Sequence, residues 1–233
     1  MGPPATATTG SAEPCETLYS QAVQQNRLKV NEQLRDAAYL LAVQGPPGSV
    51  ARELDDENPV IPLGIDIDQN VATAVLLGWS EQDSGFEPSL WMASIDQQDG
   101  DWVPHGMAGG VPPFDYPLAD RRPCSREGLY IRLYMGPGLE HGFGQRPGPA
   151  WLSAALQVTA EVDSIRVGDR MLEVPFHGYV PIAVRDPESA VVTAFGDGSQ
   201  LDTLDLRRDS SDLYRELRRR DPDEWPFKPR RQP

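Results

Sequence analysis

The chain has 233 residues, enough to bury a hydrophobic core within one domain. Its formal net charge is −14, and so acidic a body repels nucleic-acid phosphates and an anionic membrane face. The charge is uneven: nine basic and six acidic residues from Arg207 onward give +3, so the rest, with 12 basic and 29 acidic, carries −17.

The N-terminus lacks the basic region and apolar run of a signal peptide, and no segment approaches the ~20 apolar residues of a membrane span. A cytoplasmic location is therefore expected. Cys15 and Cys124 are too few for a disulfide framework and are expected as free thiols. Lysine occurs only at Lys29 and Lys228 among 21 basic residues, a bias that fits a GC-rich bacterial coding sequence.

Residues 1–13 are rich in Pro, Ala, Thr, Gly and Ser without an apolar period, and are expected to be disordered. Residues 14–44 read as a long helix. Val23, Val30, Leu34, Ala37 and Leu41 recur at 3–4 spacing, interrupted by Arg27. Pro14 suits the first turn, Glu16 suits the positive end of the helix dipole, and Gly45-Pro46-Pro47 stops the helix. The apolar stripe either packs on its own domain or pairs with a second copy. A competing reading ends the helix near Asp36 and makes residues 37–43 a strand. Ser49 is then placed to cap a short helical turn running to Asp55.

From Gly45 onward most of the 21 glycines and 23 prolines break the chain into short apolar runs, which leaves no room for long helices. Strands are expected at 60–67, 71–79, 89–95, 128–135, 151–162, 171–176, 180–185, 190–195 and 201–206. Asp99-Gly100 and Asp197-Gly198 have hairpin-turn chemistry. Ile65-Asp66-Ile67-Asp68 and residues 129–133 alternate, which predicts one buried and one wet face.

The last four strands are short and evenly spaced, as in a β-meander. Over about 40 residues they resemble the closing strands of an immunoglobulin-like sandwich, without that family's Cys–Trp–Cys pattern. The expected architecture is mainly β: an antiparallel β-sandwich, immunoglobulin-like or related, over 45–209. A long helix precedes it. A short helix over 212–220, capped by Ser210 and Ser211, and a Pro/Arg-rich tail follow within 210–233.

Two stretches look like long loops. Residues 96–126 hold Trp102, Met107, Phe114 and Tyr116, and loops of this length are usually functional or locally packed. Residues 136–149 are rich in glycine. In the tail, Trp225-Pro226-Phe227 is suited to a partner's groove or to docking back on the body.

His105, His141 and His177 are each followed by Gly and stand 36 residues apart. Three histidines with a fourth position open would make a catalytic zinc site, with Asp101 and Glu140 near enough in sequence to orient the rings. Three strand ends or turns explain the same pattern. Asp66 to Asn70 begins like a calcium loop, but Val71 and Leu77 stand where glycine and glutamate are required. Asp96, Asp99 and Asp101 are accounted for by the hairpin turn. Cys124 lies among Arg121, Arg122 and Arg126, which would favour a thiolate or hold a small anion.

G-x-S-x-G, P-loop and H-E-x-x-H motifs are missing. The favoured expectation is a non-catalytic binding or assembly module acting through protein–protein contacts, self-association through the N-terminal helix among them. The alternatives are a metal-dependent, hydrolytic enzyme using His105, His141 and His177, with zinc as the candidate metal, and a small-ligand sensor.

Overall fold

A computed structural model describes residues 15–82, 85–113, 115–124, 128–140, 150–208 and 212; of residues 15–27, 82, 137, 139 and 140 the backbone alone is described. The chain is mainly β with antiparallel sheets and one N-terminal helix. The C-terminal helix expected over 212–220 lies outside the described residues except for Asp212, and so does the tail with Trp225 and Phe227.

Helix α1 spans Cys15–Gln44, about 45 Å at 1.5 Å per residue. It continues without a break through residues 37–43, so the strand alternative is excluded. Gly45 adopts φ +79°, and its N–H donates to the Leu41 carbonyl at 2.8 Å. That left-handed close is open to glycine at little cost. Residues 49–55 form bends rather than the short helical turn expected after Ser49. The Asp55 carboxylate instead accepts from the Glu57 and Asn58 N–H groups.

Four strands follow as a meander: β1 (Val60–Asp68), β2 (Val71–Gln82), β3 (Gly85–Gln98) and β4 (Asp101–Val111). The two-residue Asp99-Gly100 turn joins β3 to β4, both residues having positive φ, as its chemistry predicts. Residues 101–111 therefore form a strand where a loop was expected. Its Pro104 and three glycines hide the strand pattern, but β4 is an edge strand, where a missing N–H is tolerated.

The remaining strands are β5 (Ile131–Glu140), β6 (Trp151–Val158), β7 (Ser164–Val167), β8 (Arg170–Glu173), β9 (Tyr179–Val184), β10 (Val191–Gly196) and β11 (Ser199–Asp205). They form two sheets, ordered β5-β6-β9 and β11-β10-β7-β8. The expected closing meander is broken, because β9 leaves its sequence neighbours for the other sheet. The reason is burial: all six residues of β9 are buried, which requires cover on both faces.

The β5-β6-β9 sheet lies between the other two. Ile131, Leu133, Leu152, Ala154, Leu156, Val180 and Ile182 face Ile165, Val167, Val192 and Ala194. Its opposite face, with Tyr134, Ala155 and Tyr179, packs on Leu63, Val75, Leu77, Leu90 and Met92 of the meander. The outer face of the meander carries α1: Leu34, Ala38, Leu41 and Ala42 bury against Ala72, Ala74, Leu76, Ala93 and Ile95. Small residues on β2 let the helix approach closely. A Cβ on Gly78 would come within 2.9 Å of the Leu34 side chain. The stripe read from the sequence thus packs on its own domain at Leu34 and Leu41; the Val23 side chain lies outside the described residues.

One alternation is inverted. Asp66 is only 3% exposed whereas Ile67 is 37% exposed. A bulge between Pro62 and Gly64 shifts the register of β1 on β2, and a one-residue shift exchanges the two faces of a strand. Asp66 and Asp68 consequently point toward the middle sheet. The Asp66 carboxylate accepts from the Ala183 N–H at 2.8 Å and pairs with the Arg170 guanidinium. Arg170 also donates to the Ile67 carbonyl at 3.1 Å and the Ala183 carbonyl at 2.6 Å, and the Arg185 N–H donates to Asp68 at 2.7 Å. Burial pushes the Asp66 carboxyl up to about 6, against the pull of Arg170 and the Ala183 N–H.

Two outcomes follow for stability. Leu34→Ala should cost about 2–5 kcal/mol by leaving a cavity, while Leu40→Ala on the exposed side should change it by less than about 0.5 kcal/mol; equal effects in denaturant titration would show that the helix is not docked. Arg170→Ala should cost about 3–5 kcal/mol at neutral pH by stranding the Asp66 charge, with part of the loss recovered by Asp66→Asn in the same chain. A loss that the second change deepens would contradict the clamp.

Candidate interaction surface

Helix α1 has two apolar faces. Turning 100° per residue, Leu34, Ala38, Leu41 and Ala42 point to the sheet, and a second set points away from it. That second set is Leu28 (58% exposed), Tyr39 (41%), Leu40 (48%) and Val43 (54%). The other large apolar side chains exposed among the described residues, Ile67, Phe86, Tyr116 and Met171, are not on this helix. Single exposed apolar residues are ordinary, but clustering on one face of one element is not. Between the apolar residues stand Lys29, Glu32, Arg35 and Asp36. Two positive and two negative charges leave residues 28–43 neutral on a chain of net −14.

This face was not expected from the sequence, where the stripe of Val30, Leu34, Ala37 and Leu41 stands out first. Tyr39 and Val43 are four apart, and Leu28 lies on the same face three turns earlier. That signal is present in the sequence but cannot be told from a second core face without knowing which side the sheet covers.

The expected metal ligands do not converge among the described residues. His177 is buried and sits on the turn before β9. Its Nε2–H donates to the Leu63 carbonyl at 3.2 Å, and its Nδ1 accepts from the Tyr179 N–H at 3.1 Å. The ring also stacks on Tyr179. Both nitrogens are thus committed, and a metal would have to displace one bond. Burial lowers its pKa to about 4, so the ring is neutral. His105 lies on β4, at the opposite edge of the meander from β1, and meets the Asp96 carboxylate and Gln98. His141 lies outside the described residues. No group of three His, Cys, Asp or Glu suited to a metal occurs among the described residues.

The arginine cluster is also engaged. Arg121 donates to the Val162 carbonyl and Arg122 pairs with Asp115; Arg126 lies outside the described residues. Both line a cleft with Asp115, Leu118, Asp120, Gln157, His177 and Tyr179, whose empty volume, open mouth included, is about 290 Å³. The two carboxylates here oppose an anion. Cys124 is held by its N–H on the Glu161 carboxylate at 2.8 and 3.0 Å, and its thiol meets the Leu129 carbonyl at 3.4 Å.

The aromatics expected to bind a partner are dispersed. Trp102 packs on the cluster beneath α1. Tyr116 is partly exposed, its hydroxyl accepting from the Leu54 N–H at 2.9 Å. Phe114 lies outside the described residues. A buried hydroxyl cluster was not anticipated: Thr73 and Ser94 both donate to the Ser153 hydroxyl oxygen, at 3.0 and 3.3 Å, between the meander and the middle sheet. These hydroxyls are sealed from solvent and present no nucleophile to a substrate.

Comparison with protein-family models, with curated proteins and with solved structures returned no match. Among the described residues no helix is long and apolar enough to cross a membrane.

The neutral His177 makes a pH-dependent contribution. It protonates near 6.5 when unfolded but near 4 when folded, so the unfolded chain binds more protons between these values. The contribution is complete above about pH 6.5 and is lost as pH falls toward 4, amounting to about 3 kcal/mol at most. The stability difference between wild type and His177→Asn should therefore shrink across this window; a difference constant from pH 7 to 4 would contradict the assignment.

Proposed function

We propose that this protein is a non-catalytic module acting through protein–protein contacts, with the outer face of α1 as its contact surface. The observation that carries this reading is the cluster of Leu28, Tyr39, Leu40 and Val43, all exposed on the face that the domain leaves uncovered. An exposed apolar face rimmed by charges is the form of an interaction site. Tyr39 brings contact area with a polar tip, which suits the centre of an interface. The polar groups that chemistry would need support the same reading. His177 has both nitrogens engaged, Arg121 and Arg122 have partners within the fold, and Ser153 is buried.

The test places a photo-crosslinking side chain at position 39 in the full chain, with position 171 as an exposed apolar control. Light should link position 39 to a protein, a second copy or another chain, and Val43→Asp should abolish the link. Linking at both positions alike, or at neither, would overturn the contact surface.

A further inference from the structure

We propose that the outer face of α1 pairs with the same face of a second copy, the two helices running antiparallel about a two-fold axis between Arg35 and Asp36. This inference rests on the reading of that face as a contact surface and names its partner. At 100° per residue, Arg35, Leu28, Tyr39, Glu32, Val43 and Asp36 follow one another within an arc of about 100°. All six are exposed, and the sheet covers the other side of the helix at Leu34, Ala38, Leu41 and Ala42. A second helix reaches this arc without meeting the first copy's strands.

The order of residues along the face selects the partner. A two-fold interface must be complementary to itself. With the axis between residues 35 and 36, Leu28 meets Val43 of the second copy and Arg35 meets its Asp36. Glu32 meets Tyr39, whose hydroxyl donates to a carboxylate. Each contact occurs twice, and both ends of the apolar face are matched. A parallel pairing instead sets Arg35 on Arg35 and Glu32 on Glu32, and like charges in register are repelled. Antiparallel helices also align their dipoles favourably. The local neutrality of residues 28–43 is what lets two chains of net −14 approach here. A paired segment of 16 residues is about 24 Å long. That is short for a standard interface, so the dimer is weak and reversible.

The experiment is sedimentation of the full chain across a concentration series, with charge reversals at the axis. Wild type should pass from monomer to dimer. Arg35→Asp places four carboxylates at the axis and Asp36→Arg places four guanidiniums, and each should weaken the dimer about tenfold or more. An equimolar mixture of these two variants should regain dimer near the wild-type affinity, since each supplies the charge the other lacks. Residues 35 and 36 are exposed, so melting should be unchanged; a variant that fails to fold is replaced by Glu at 35 or Lys at 36.

With Cys15 and Cys124 changed to Ser, Leu28→Cys with Val43→Cys should give a disulfide-linked dimer on oxidation, and neither change alone should. Linking through Leu28→Cys with Tyr39→Cys instead would overturn the register. If the wild type stays monomeric while position 39 links to a different protein, self-pairing is wrong and the contact surface stands. If the wild type stays monomeric and position 39 links to nothing, both are wrong.

Discussion

Arg170 reaches from β8 to β1 and β9, joining three sheets through a single guanidinium. Hydrophobic contact between the sheets is non-directional. A buried carboxylate with a guanidinium and a backbone N–H as partners is directional, because any sliding of one sheet leaves a charge uncompensated. The bulge in β1 exists in the same frame. It turns Asp66 inward at the cost of exposing Ile67, an exchange that makes no sense for β1 alone but is required by Arg170 opposite.

The boundary between the meander and the middle sheet changes character along its length. Leu63, Leu77, Leu90, Met92, Tyr134 and Tyr179 make one end apolar. Thr73, Ser94 and Ser153 make the other polar, and their hydroxyls satisfy one another. Buried polar groups that are paired cost little and discriminate strongly between registers. Polar side chains that look chemically capable in the sequence are therefore spent on placing the sheets.

Much of the local structure was legible. Asp99-Gly100 and Asp197-Gly198 form two-residue hairpin turns because Asp and Gly tolerate positive φ. Gly45 closes α1 for the same reason. The strand at 101–111 was not legible, since Pro104 and its glycines break the pattern and only an edge position makes them tolerable. The histidine spacing says nothing about convergence for a different reason. Equal intervals in sequence carry no distance in space once β4 and the turn before β9 lie at opposite sides of the meander.

By itself the sequence determined a mainly β chain with a long N-terminal helix, because side-chain period, turn residues and caps act over a few residues and need no distant partner. Tertiary structure alone decided which face of each element is inside. Ile67 is exposed and Asp66 buried because of a residue 104 positions away, and β9 joins the middle sheet because both its faces need cover. Likewise, Leu34 and Tyr39 are both apolar residues of one helix, and only the sheet beneath α1 makes one of them core and the other surface. Burial is a property of pairs of surfaces, and a sequence lists one surface at a time.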